Sequence, residues 1–317
     1  QVVAVTLFGY YYVAAGCDMD KEEVMEYDRL VRNKQWQEII GKAEKKSPTS
    51  PFSVTCLNLA LGKTGQMGDR MFEFYQNGTE GLLPEFRRDF TSPLPTSEAY
   101  YHLGMINTAQ RFTFEAMESI PNFNKSSRCF KRLAETNLIN GQYEVAAKYL
   151  RALRKTLFYK DWAEEAMTYL YDEEKINAHK EWGWLRQIRY TEDFLFSDRE
   201  MDIMLGLLYQ HDHRNRMAFE YMLAYVLQQR DLERFMKYYP LGKHAGYDHI
   251  PRSYQEALVY VWTQTHKNFQ GMPWSISPQV VRDVTEFARI YTSQQNARQM
   301  LEARFGSTYW NYLLLRK

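Results

Sequence analysis

The sequence predicts an all-α protein, a solenoid of helix-turn-helix hairpins ending in an irregular C-terminal helical cap. Three observations predict it. Apolar residues recur at three- and four-residue steps along most of the 317 residues, which lays an apolar stripe on one face of each helix. No segment alternates apolar and polar residues over a strand's length with β-branched enrichment, so nothing argues for a sheet. The hairpin at 128–155, RCFKRLAETNLINGQYEVAAKYLRALRK, is too small to bury both faces alone and needs similar neighbours on either side.

A chain of this length suits one elongated solenoid or two compact domains. Its 40 basic and 39 acidic residues leave a net charge of +1, which argues against a general nucleic-acid binder. With 24 Tyr and 7 Trp against 10 Pro and 16 Gly, it is a packed chain rather than a disordered one. Cys17, Cys56 and Cys129 are widely spaced and form no CxxC. Neither a disulfide framework nor a zinc site follows from them, and no metal or other cofactor is expected.

Residues 1–16, QVVAVTLFGYYYVAAG, carry no charge. At about 1.5 Å each they span roughly 24 Å, short of a ~30 Å hydrocarbon layer. They are expected to be the remnant of a membrane-spanning helix that begins upstream, with Tyr10, Tyr11 and Tyr12 near the interface. Two other readings stay open: Ala14-Ala15-Gly16-Cys17 as a degenerate lipobox that would lipidate Cys17, and a buried first helix of the soluble part. The flank DMDKEE is mostly acidic and leans the soluble part to the outer, periplasmic side.

Residues 17–239 are read as the repeats. A helix at 21–31 precedes one carrying Trp36, Ile39, Ile40 and Ala43 that stops near Ser47-Pro48. Helices at 51–61 and 67–75 repeat the plan around Gly65, with Trp36 and Met67 in matching places. The stretch 77–97, with Gly78, Gly81, Pro84, Pro93 and Pro95, is an inserted irregular loop from which Phe86 and Phe90 dock onto the helices. Tyr100, Leu103-Gly104, Phe112, Ala116 and Ile120 restore the hairpin, which Pro121 ends. Leu103-Gly104 and Leu205-Gly206 repeat one pair 102 residues apart, as a shared place in two hairpins would.

In the 128–155 hairpin, Phe130, Leu133, Ala134 and Leu138 run to Asn140-Gly141, whose glycine suits a left-handed helix end. Tyr143, Ala146, Ala147, Leu150 and Leu153 then resume the period. Residues 162–171 are helical, and Trp182, Trp184, Leu185 and Ile188 form a patch expected to be buried. Stretches 198–211 and 216–229 make another hairpin, packed through Ala218 and Met222.

Residues 240–317 are the cap. An irregular link leads to an amphipathic helix at 252–266, and GMPWSISPQ is a second link in which Ser277 caps a helix with Pro278 at its first position. Helices at 295–305 and 309–315 finish the chain.

The order aromatic, Leu-Ala, Asn-Gly-x-Tyr, Ala, Leu in 128–155 resembles a tetratricopeptide repeat, a helix-turn-helix unit of about 34 residues. More narrowly, SVTCLNLALGKTGQMGDRMFEFYQNG (53–78), EAYYHLGMINTAQRFTFEAME (98–118), RLAETNLINGQYEVAAKYL (132–150) and GYDHIPRSYQEALVYVWTQTHKNFQGMPWSISPQVV (246–281) resemble a family of uncharacterised bacterial proteins. In that family a multi-span membrane region precedes a soluble, tetratricopeptide-like helical part. The resemblance covers essentially the whole chain. It implies a bacterial membrane location, with residues 1–16 ending a membrane domain, and it supplies no activity and no catalytic residue.

Three features are candidates for function. His211-Asp212-His213 offers metal ligands, but side chains two apart on a helix diverge, and the reading is a solvated turn. Tyr247-Asp248-His249-Ile250-Pro251-Arg252 is the densest set of reactive side chains: Asp248 could orient the His249 imidazole and Arg252 could hold an anion. No nucleophile accompanies them, so they are read as a helix-capping loop or a ligand or partner site rather than a catalytic one, with Trp274 as a further member. The third feature is a basic excess at 125–155 followed by an acidic run at 161–174. Either neighbouring repeats complement each other, or Lys131, Arg132 and Arg151 line a basic groove for an acidic peptide or carboxy terminus.

No Gly-rich phosphate loop, HExxH, GxSxG or kinase signature is present, and an enzymatic role is not expected. Asn77-Gly78-Thr79 and Asn124-Lys125-Ser126 fit glycosylation acceptors. The expected function is a membrane-tethered helical-repeat scaffold that binds a protein or peptide along its curved surface. The alternatives are a module of a membrane enzyme or transporter that senses a ligand through 244–252 and Trp274, and a glycan-binding surface lipoprotein.

Overall fold

One turn recurs along the chain. At Lys34, Gly65, Gly104, Gly141 and Arg230 the backbone turns left-handed, with φ of 56°, 67°, 93°, 74° and 61°. In each, the next amide reaches back five residues: Gln35 to Leu30, Gln66 to Leu61, Met105 to Tyr100, Gln142 to Asn137 and Asp231 to Val226. This bond pattern satisfies the last carbonyls of the outgoing helix and reverses the chain. A new helix then starts two residues after each left-handed residue, at Trp36, Met67, Ile106, Tyr143 and Leu232.

A computed structural model describes residues 2–16, 19–85, 93–119, 125–192, 197–266, 268–293 and 297–316. Among them the fold is all-α and solenoid-like, and no strand occurs. α1 (Val2–Gly16) leaves its apolar side chains in solvent. α2 (Met19–Arg32), α3 (Trp36–Lys45) and α4 (Pro51–Lys63) pack in succession, and α5 (Met67–Arg70) runs into a 3-10 turn at Met71–Glu73. Two long hairpins follow, α6 (Pro93–Leu103) with α7 (Ile106–Ser119), and α8 (Ser127–Ile139) with α9 (Tyr143–Leu153). Shorter helices α10 (Lys160–Met167), α11 (Glu173–Ala178) and α12 (Trp182–Ile188) lead to the hairpin of α13 (Met201–His211) and α14 (Arg216–Gln228), with α15 (Leu232–Tyr238) behind it. The last helices are α16 (Arg252–Thr265), α17 (Pro278–Ser293), α18 (Ala297–Phe305) and α19 (Tyr309–Leu314).

The chain also returns on itself. α4 is buried on every side from Ser53 to Gly62, as a helix apolar all round must be, and α14 lies against it. The Asn215 amide donates to the Leu103 carbonyl at 2.9 Å. A buried amide cluster ties three distant segments: Gln76 accepts from Asn58 at 3.0 Å and from Gln228 at 2.9 Å. The C-terminal region does not sit only on the last hairpin. α16 packs on α5, and Tyr309 and Tyr312 place their rings 5.0 Å from Phe72. One apolar core therefore runs from Tyr27 to Tyr312, with a satellite around Phe287, Leu301, Phe305 and Trp310.

Several expected details change. The helix from Met67 gives way to the 3-10 turn after Arg70, and the helix expected at 162–171 ends at Met167. Pro93 and Pro95 belong to the first turn of α6 rather than to a loop, because the first helical amides have no partner to lose there. Gly104 follows α6 as its left-handed end, whereas Gly206 lies inside α13 with Met222 beside it, so the two Leu-Gly pairs are not equivalent. Trp182, Leu185 and Ile188 are buried, as are Ala218 and Met222. The Ser277 hydroxyl accepts the Val280 amide at 3.3 Å at the head of α17. Cys17, Phe86, Phe90, Ile120, Pro121 and Asn124 lie outside the described residues.

Candidate functional site

A cleft of about 1050 Å³ opens between two walls, 239–251, which starts as a 3-10 turn at Tyr239–His244, and 273–278, which ends at the first residue of α17, with Phe219 of α14 and Gln255 of α16 in its lining. Glycine and proline shape the walls: Gly246 turns left-handed after the 3-10 turn, Pro251 precedes α16, and Pro278 opens α17. Gln255 fastens them together. Its amide donates to the Ile250 carbonyl at 2.7 Å, and its side-chain oxygen accepts the Ser277 amide at 2.7 Å. Tyr239, Tyr247, Trp274 and Ile276 give the cleft an apolar surface, while Lys243, Asp248, His249 and Ser275 supply polar groups. Trp274 is braced edge-on by Trp262 at 6.3 Å.

His249 stands half-exposed at the rim between two carboxylates, Nδ1 2.7 Å from Asp248 and Nε2 3.1 Å from Asp69. Those partners, Asp69 first, raise its pKa above the ordinary histidine value, which favours the imidazolium. With both ring nitrogens engaged, it offers no lone pair to activate Ser275 or Ser277. Arg252 does not converge on His249: its side chain turns to Glu256 at 2.9 Å, while its backbone amide donates to Asp69 at 2.9 Å. Behind the cleft, Glu220 is buried and accepts Arg216 at 2.7 Å and the Tyr247 hydroxyl at 3.4 Å. Burial lifts its carboxyl to about 7, with Arg216 only partly opposing. Glu256 is lifted to about 7 in the same way, although it accepts both Arg252 and the Tyr309 amide.

The structure therefore brings Tyr247, Asp248, His249 and Trp274 to one cleft and leaves Arg252 beside it. The other group is divided. Arg132 is held inside the protein, donating to Glu98 at 2.5 Å and Glu135 at 2.7 Å and stacking 3.6 Å from the Tyr101 ring centre. Lys131 is 3.8 Å from Glu135 and lies over the Trp162 ring at 5.0 Å. Arg151 is exposed on α9 and lines no cavity with them. Arg132 is thus spent on internal carboxylates and is not an open groove contact. Around it, a smaller cavity of about 180 Å³ collects Glu98, His102, Arg128 and Glu181, which no local pattern groups. Burial would raise the Glu98 carboxyl, but Arg132 and Arg128 hold it down at about 2.

Asp69 and Gln255 were likewise illegible, since each acts on a partner far along the chain or across a link. Glu220 and Glu256 did carry a signal. Each sits four residues after an Arg, in RMAFEYMLAYVL and RSYQEALVYV, a spacing that lets the Arg partner a carboxylate followed by a run of apolar and aromatic residues. His211 and His213 remain apart from any metal geometry: Asp212 accepts Arg214 at 2.6 Å, and among the described residues no cluster of three His, Cys, Asp or Glu could hold a metal. No helix among the described residues is long and apolar enough to cross a membrane. No curated protein and no solved structure matches the chain. The chain belongs to a family of unknown function (DUF6057), which matches residues 2–316.

Proposed function

We propose that this chain is a membrane-tethered helical-repeat scaffold, built on tetratricopeptide-like hairpins, which binds a segment of a protein or peptide in the cleft between 239–251 and 273–278. The cleft itself is the observation that carries this reading. Its volume of about 1050 Å³ lies at or beyond the upper end of small-molecule sites, which run to about 1,000 Å³. It is lined by the aromatic rings of Tyr239, Tyr247 and Trp274 and by proline rings, the kind of surface that docks extended chain segments. The tether is assigned to residues 2–16, whose apolar side chains, such as Val2 at 81% and Tyr10 at 76%, stand exposed. The acidic flank that follows supports placing the repeats on the outer side of a bacterial membrane.

The test is a photo-crosslinking amino acid at Ser275, compared with one at Arg282 on the exposed face of α17, in full-length protein in native membranes. A discrete polypeptide adduct from position 275 alone, lost with Trp274→Ala, is expected. Equal labelling from both positions, or none, defeats the peptide reading. Protection of position 275 by a small solute in place of an adduct would favour the ligand-sensing alternative.

A further inference from the structure

The turn between α9 and α10 presents two large apolar side chains to solvent, Leu157 at 87% exposure and Phe158 at 88%. A built turn holds them there. The Thr156 hydroxyl donates to the Leu153 carbonyl at 2.7 Å and accepts the Tyr159 amide at 3.3 Å. Tyr159 then turns inward against the core, so the pair between is pushed outward. Soluble proteins rarely fix adjacent large apolar residues in water without a partner for them.

The surroundings indicate which partner. Between Lys148 and Lys160 the chain has five basic residues, Lys148, Arg151, Arg154, Lys155 and Lys160, and no acidic one. Arg154 approaches Glu164 at 3.7 Å, while the other four form no ion pair among the described residues. An apolar tip flanked in sequence by basic residues, four of them outside any ion pair among the described residues, matches an anionic bilayer, whose surface attracts the charges and whose interface accepts the rings and chains.

We infer that the 154–160 turn is a lipid-contact tip: Leu157 and Phe158 enter the interface of an anionic membrane while Arg151, Lys155 and Lys160 meet its headgroups. This contact is separate from the cleft and from the apolar segment 2–16. It would orient the helical repeats against the membrane surface.

The test measures sedimentation of the full chain with vesicles of phosphatidylcholine alone and of phosphatidylcholine mixed with phosphatidylglycerol. Binding through residues 2–16 appears in both. The tip predicts an additional gain of about tenfold or more with the anionic lipid, suppressed by high salt. The double substitution Leu157→Ser, Phe158→Ser and the single substitution Lys155→Glu should each remove most of that gain. Neither should alter the melting temperature or the binding to neutral vesicles. The inference is overturned if anionic lipid gives no gain, or if the gain survives both variants. It is equally overturned if the double variant changes only self-association in sedimentation velocity, which would make the tip a protein contact.

Discussion

The Asp69 carboxylate accepts the backbone amide of Arg252 at 2.9 Å and so caps α16 from a helix 183 residues away. Pro251 precedes that helix and has no side-chain oxygen to cap it, so the cap has to come from elsewhere. The approach is close. The Ser253 hydroxyl donates to the Gly68 carbonyl at 2.5 Å, and a side chain at Gly68 would come within 2.7 Å of Pro251. Asp69→Ala should therefore cost about 1–2 kcal/mol in denaturant unfolding, the range for a lost cap. It should also speed hydrogen exchange at the first amides of α16. Unchanged exchange there would show that the helix end is held by other means.

His249 gives the same junction a pH dependence. Its pKa is raised in the folded state by Asp69 and then Asp248, so the charged ring favours folding. That contribution is fully present below the unfolded value of about 6.5 and is lost as pH rises through the higher folded value. The group is half-exposed and solvent screens it, so the effect is small. The stability advantage of wild type over His249→Gln should shrink between pH 6 and the alkaline range. A difference that is flat with pH would mean that the pair with Asp69 does not hold in solution.

Glu220 should act in the same direction on pH for a different reason. Its folded value of about 7 exceeds the ordinary carboxyl value, so the folded state keeps its proton longer than the unfolded one. Stability is then greatest below about pH 4.5 and falls as pH rises to about 7, by on the order of 3 kcal/mol. Glu220→Gln removes the ionisation. On going from pH 5 to pH 8 the variant should gain on wild type by a kcal/mol or more in chemical denaturation. A constant difference would show that Glu220 stays ionised and paired with Arg216 throughout.

The helices were legible wherever the apolar period ran unbroken, as in 128–155, where Gly141 also announced its own left-handed turn. The same turn at Lys34 and Arg230 carried no such sign, because those residues adopt φ of 56° and 61° without glycine's freedom. What a local pattern could not show is how the chain closes. Periodicity tells that α4 and α14 are apolar nearly all round, but not that they cover one another. The seating of α16 on α5 rests on Gly68 and Asp69, two residues with no periodic role. For the cleft, the density of side chains at 247–252 and the aromatic at 274 marked both walls. Its inner fastening by Gln255 depends on a link whose path only packing decides.

Arg132 separates an internal ion network from a binding groove. Glu98 is buried, and Arg132 with Arg128 holds its carboxyl at about 2 against the cost of burial. Its stabilising contribution is present above about pH 4.5 and is lost as pH falls through the folded value. Arg132→Met leaves a buried carboxylate short of its main partner, for which about 3–5 kcal/mol is the usual cost. That loss should shrink in acid, where the stranded carboxyl can take up a proton in the folded state. Lys131→Ala and Arg151→Ala, which release side chains with substantial exposure, should change stability by less than about 1 kcal/mol. If all three variants proved equally mild, Arg132 would be free to turn outward, and a basic groove on this face would stand again. If only Arg132→Met unfolds the protein at neutral pH, the charge of Arg132 serves the core, and what 125–155 leaves open to partners is carried by exposed residues such as Lys125, Lys148 and Arg151.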